Sequence, residues 1–147
     1  MATESSFPLQ DHVVQRPLTA RVGVRLYEVA EQRSGALRHA RIDTFESSHA
    51  LAWAEHELGL MQAHRCERVG AIEQIVARGD TLIVVSERVP GTPLHEYAGG
   101  HPLAVTEFVE IAKQLAELLV RVHACVPVHG DLRVGTIVFE PEARRVG

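Results

Sequence analysis

The chain has 147 residues, nearly half apolar and about a quarter charged, with a net charge of −4. That length suffices for one domain burying roughly two-thirds of its unfolded surface, and the slight acidic excess argues against nucleic acid or a membrane surface as partner. No apolar run approaches the roughly 18 residues needed to span a bilayer. The first six residues lack the basic start and apolar stretch of a signal peptide, and Cys66 and Cys125 form no spaced framework, so a reduced, cytoplasmic protein is expected.

The first dozen residues are polar and read as a loose arm. Strands are expected over Val13–Leu18, Val24–Ala30 and Ala36–Ile42, the last two joined by a polar turn that ends in Gly35. Ser47 or Ser48 offers an N-cap to a helix whose apolar residues, Leu51, Ala54, Leu58 and Met61, recur every three or four positions. Two more strands, Ala71–Ala77 and Thr81–Val85, flank a hairpin turn at Arg78-Gly79-Asp80. That tripeptide is also an integrin-binding motif, but a turn is the economical reading. Val89-Pro90-Gly91-Thr92-Pro93 breaks the pattern, and a polar linker is expected up to Pro102.

The clearest helix follows. Thr106 can cap it, and Glu107 and Glu110 suit the positive end of its dipole. Its apolar stripe is Phe108, Ile111, Ala112, Leu115, Leu118, Leu119 and Val122. Pro127 ends this region, and Leu132–Phe139 reads as short extended pieces around a loop. Strands first and a long helix later make an α+β arrangement.

The segment LVRVHACVPVHGDLRVGTIVF, residues 119–139, resembles the end of the long helix and the catalytic loop of protein kinases. A helical His, here His123, is followed six residues later by His129 of His-Gly-Asp-Leu, where the family has His-Arg-Asp-Leu. Upstream, LIVVSERVPGTPL (82–94) is similar to the fifth strand, the hinge acid (Glu87) and the Gly-x-x-Leu entry to the next helix. Leu26-Tyr27 through Ser34-Gly35 resembles the second strand and the turn after it. The resemblance covers nearly the whole chain and lies closest to bacterial Ser/Thr-kinase-like domains. It implies a five-stranded antiparallel first lobe with one helix (13–88) after an arm (1–12). The hinge, long helix and catalytic loop of an incomplete second lobe would follow (89–147).

The resemblance also implies ATP and Mg²⁺ as cofactors, because phosphoryl transfer requires positioning and charge neutralisation more than covalent chemistry. By alignment, Asp131 is the catalytic aspartate, with His129 and Arg133 beside it. Arg41 stands for the strand-three lysine and Glu57 for its helix partner, Glu55 being the weaker candidate. Leu26, His39, Glu87 and Val138 fall at nucleotide-contacting positions, and Thr136 falls where a magnesium ligand belongs.

The departures from the family set the function expected. The glycine-loop positions are Thr19, Arg21 and Val24, whose side chains keep backbone from phosphate, and Gly23 is out of register. Arginine is no conservative replacement for lysine at position 41. His39, on the same strand face, would fill part of the adenine site. Thr136 replaces an asparagine, and Asp-Phe-Gly is expected only past Gly147. A degenerate, pseudokinase-like signalling or interaction module is therefore expected. It would meet a protein partner or a second copy through an exposed apolar surface at Leu115, Leu118, Leu119 and Val122.

Two alternatives keep the fold: the N-terminal part of an active Ser/Thr kinase, and a small-molecule phosphotransferase of the aminoglycoside-kinase type. A metal site from His123, Cys125, His129 and Asp131 matches no zinc signature.

Overall fold

The computed structural model describes residues 9–125 and 135–147, and within them the chain divides into two units. The first comprises the described residues up to Gly59 together with Ile72–Arg88. Its sheet is built from β1 (His12–Arg21), β2 (Val24–Glu31), β3 (Leu37–Thr44), β4 (Ile72–Arg78) and β5 (Thr81–Glu87). All neighbours are antiparallel, in the order β1-β2-β3-β5-β4. The five expected strands are present, each within a few residues of its expected bounds.

The turns follow from glycine. Gly35 (φ +71°) closes the β2–β3 connection, its N–H donating to the Glu31 carbonyl at 2.8 Å. Gly79 (φ +61°) occupies the first of two positions between β4 and β5, a backbone region that costs other residues strain.

Side chains alternate across a strand, and pairing sets them in rows. Val29, Ala40, Ile42, Ile83 and Val85 form one face of this sheet, all at most 3 % exposed, with Tyr27 and Val76 packed beside them. Leu9 joins them at 6 % exposure, so the segment read as a loose arm contributes a core residue immediately before β1.

Helix α1 (Ser48–Gln62) starts where expected. Ser47 is its cap, the Oγ accepting from the Ala50 N–H at 3.2 Å. Leu51, Ala54, Leu58 and Met61 are its least exposed residues, which reproduces the stripe read from the sequence.

The second unit comprises Leu60–Ala71 and Val89–Gly147. The stretch read as a polar linker contains two elements, β6 (Thr92–Pro93) and the short helix α2 (Leu94–Ala98). Helix α3 (Val105–Cys125) starts one residue before Thr106, which sits in its first turn and does not cap it. Strand β7 (Val138–Glu140) lies between β6 and β8 (Arg145–Val146). Ile111, Ile137, Phe139 and Val146 form the core here, with Leu94, Tyr97, Leu103 and Leu115 against it. Arg68, at φ +65°, ties the first segment of this unit to β8, its Nε donating to the Val146 carbonyl at 2.5 Å.

The apolar surface expected on the long helix is corrected. Leu118 and Val122 are 6 % and 5 % exposed, and Leu115 and Leu119 are half-buried. Phe108, read as part of the apolar stripe, is 60 % exposed. The large apolar residues exposed on α3 are Val105, Phe108, Val109 and Val120. Among the described residues no helix is long and apolar enough to cross a membrane.

Candidate functional site

The face of the first sheet opposite its apolar core is mixed, carrying charged and polar side chains beside the buried Leu82 and Val84. Leu26 and Glu28 of β2, His39, Arg41 and Asp43 of β3, and Val84 and Ser86 of β5 share it by alternation. Pairing makes two adjacent rows, Glu28–His39–Ser86 and Leu26–Arg41–Val84. Arg16 of β1 stands opposite Glu28, and Arg88 follows directly after β5.

Two ion-pair systems organise this face. Glu28, 7 % exposed, accepts from Arg16 Nε at 3.1 Å and from Arg88 Nε at 2.9 Å, one arginine on each carboxylate oxygen. Arg41 Nε lies 2.9 Å from Oδ2 of Asp43, a buried carboxylate two residues along the same strand. Glu28 is both paired and hydrogen-bonded, the two conditions under which a buried carboxylate is tolerated.

These charges set the titration of the site. Burial opposes ionisation of Glu28, but the hydrogen bonds and charges of Arg16 and Arg88 outweigh it and hold the carboxyl below its ordinary value. Burial, and then the charge of Arg88, push the His39 imidazole below its ordinary 6.5, against the opposing pull of Glu28. His39 is therefore neutral in the folded protein over a range where the unfolded chain binds a proton. Stability from this group is present above pH 6.5 and is lost as pH falls from there toward the lowered folded value. Melting temperatures of the parent and His39→Gln should diverge between pH 7.5 and 5.5, the parent falling more steeply. Parallel pH profiles would remove His39 as the cause. The contribution of Glu28 is lost separately, below its ordinary 4.5.

No protein-family model and no curated protein matches the sequence. Solved structures do match. The crystal structure of Rad53 1-466 in complex with AMP-PNP superposes with a TM-score of 0.77 over 92 % of this chain, at 16 % sequence identity. The fold is protein-kinase-like. This chain spans 37 % of that structure's length.

Within a kinase-like fold the β1–β2 turn is where a glycine-rich loop would lie. Here the strands stay paired to Arg21↔Val24, leaving a two-residue turn of Val22 and Gly23. Gly23, at φ +74°, serves the reversal of the chain, and its carbonyl accepts from the Thr44 N–H at 2.8 Å. Register sets Leu26 opposite Arg41. Glu57 and Glu55 are exposed on α1, and among the described residues no ion pair joins Glu57 to Arg41. Glu87 lies opposite Arg38, whose Nε contacts Glu73 at 2.7 Å. Val138 is buried in β7, and Thr136 is exposed in the loop before it. His129, Asp131 and Arg133 lie outside the described residues.

Among the described residues no three His, Cys, Asp or Glu side chains stand close enough to share a metal. Arg16, Glu28, Asp43 and Arg88 were not among the residues singled out from the sequence. The alternation Leu26–Glu28 and Arg41–Asp43 was a readable signal, but only the strand register brings Arg16 and Arg88 to Glu28.

Proposed function

We propose that the chain is a kinase-like module that does not transfer phosphate and acts in signalling by binding a protein partner. The ion pair between Arg41 and Asp43 carries this reading. The cation that a kinase would direct at nucleotide phosphates is held by a buried carboxylate on its own strand. Recruiting Arg41 to phosphate would strip Asp43 of that partner, and breaking a buried pair is costly. His39 on the same face, and the tight Val22–Gly23 turn, act in the same direction. The outer apolar residues of α3, Val109 and Val120 among them, are available for the partner.

A second reading, the N-terminal part of an ATP-dependent Ser/Thr kinase, draws on the AMP-PNP bound in the similar Rad53 structure. Titrating ATP with and without Mg²⁺ while following thermal melting separates the two. A ligand at 100 times its Kd stabilises by about 2.7 kcal/mol. No magnesium-dependent rise is expected at millimolar ATP, and a clear rise would replace the first reading with the second.

A further inference from the structure

The arginines flanking Glu28 exceed what its charge requires. One guanidinium neutralises one carboxylate, and here two hold it, so the group carries a net charge of +1. The Glu28 side chain is 9 % exposed, whereas those of Arg16 and Arg88 are 52 % and 35 % exposed. Each arginine bonds the carboxylate through Nε alone. The two guanidinium groups thus flank one fixed point on the sheet, and among the described residues their Nη donors make no hydrogen bond.

A guanidinium presents its donors in a planar fork that matches the oxygens of phosphate, and charge-assisted bonds of this kind are the strong ones. We propose that Arg16 and Arg88, positioned by Glu28, form a receptor for a phosphate group, which would bridge the Nη donors of both. Glu28 positions the two cations and does not touch the ligand. His39, next in the same row, borders the site. The proposal rests on the first sheet alone and stands whether or not the chain is catalytic.

The test uses the whole chain at low ionic strength, with inorganic phosphate as probe and sodium chloride matched in ionic strength as control. Calorimetric titration should give saturable phosphate binding, and thermal melting should rise with phosphate above the chloride control. Arg16→Gln and Arg88→Gln should each weaken binding at least tenfold. Arg38→Gln, which removes an arginine paired to Glu73 elsewhere on the sheet, should leave it unchanged. Arg88→Lys keeps the charge without the fork and should also weaken binding while preserving a cooperative melt, so a folding defect in the Gln variants cannot mask the answer. Equal responses to phosphate and chloride, or parent-like affinity in Arg88→Lys and Arg88→Gln, would overturn the proposal.

Competition by ATP without magnesium identifies the phosphate's source. Displacement with the same dependence on Arg88 supports the site and assigns it to a nucleotide-borne phosphate; absence of displacement supports it with phosphate from another source. Magnesium-dependent ATP binding that leaves phosphate affinity intact would count against the non-catalytic reading and for this site.

Discussion

Phe139→Ala is expected to destabilise the protein by about 3–5 kcal/mol. Phe139 is 2 % exposed and belongs to the core of the second unit with Ile111, Ile137 and Val146. Its ring meets Tyr97 edge-on, with centroids 4.8 Å apart and planes at 60°. It also sits on the middle strand of the β6-β7-β8 sheet, opposite Thr92 on one side and Val146 on the other. Truncation removes the transfer energy of the ring, leaves a cavity beside a strand only three residues long, and deletes the aromatic pair. Natural domains hold only about 5–15 kcal/mol in reserve, so the loss should be visible as a lower urea midpoint. Phe139→Leu should lose much less, because it refills most of the space. A change below about 1 kcal/mol for the alanine variant would mean that the second unit does not depend on this ring.

The first sheet was legible in the sequence because its strands carry period-two patterning and its turns are marked by glycine. Val29, Ala40 and Ile42 alternate with Glu28, Arg41 and Asp43, and Gly35 and Gly79 mark the reversals. The second unit was less legible. Strands β6 and β8 have two residues each, too short for any periodicity, and they exist because β7 lies between them. Helix α2 has five residues and sits in a stretch with three prolines and three glycines close by, which reads as linker. Helix α3 was plain as a helix, and its buried residues Ile111, Leu118 and Val122 all lie on the stripe read from the sequence, from which Phe108 and Ala112 depart.

The same division holds for the candidate site. Arg41 and His39 were reached by resemblance, and alternation places them on one face. That Arg41 pairs with Asp43 is a local matter of i and i+2 on one strand. That Arg16, Glu28 and Arg88 converge is a matter of register across residues 12 and 60 positions apart. Pairing of that kind depends on bulges, such as the register shifts in β1 between Val14 and Arg16 and between Pro17 and Thr19. Pro17 supplies no N–H to the ladder, which suits an edge strand interrupted in this way.

Gly91→Ala is expected to be the more disruptive of two glycine replacements that look alike in the sequence. Gly91 and Gly79 both adopt positive φ, +133° and +61°. An alanine Cβ at position 79 would meet nothing within 4 Å, so only the backbone penalty of about 1–2 kcal/mol applies. At position 91 the Cβ would lie 2.9 Å from both the carbonyl carbon and the oxygen of Phe139, and 3.2 Å from the Glu140 nitrogen. Those are backbone atoms of β7, which cannot swing aside as a side chain can. Relief requires β6 to move off β7, away from the pairs Thr92↔Phe139 and Pro93↔Val138. It would also disturb the Leu94 N–H bond to the Ile137 carbonyl, 2.8 Å long, at the entry to α2. Backbone strain of about 1–3 kcal/mol and overpacking of about 1–3 kcal/mol together give about 2–6 kcal/mol. Denaturant titration of both variants beside the parent checks the ordering. If Gly91→Ala costs no more than Gly79→Ala, β6 yields freely, and the close approach of Gly91 to β7 does not hold the start of the segment Val89–Gly147 in place.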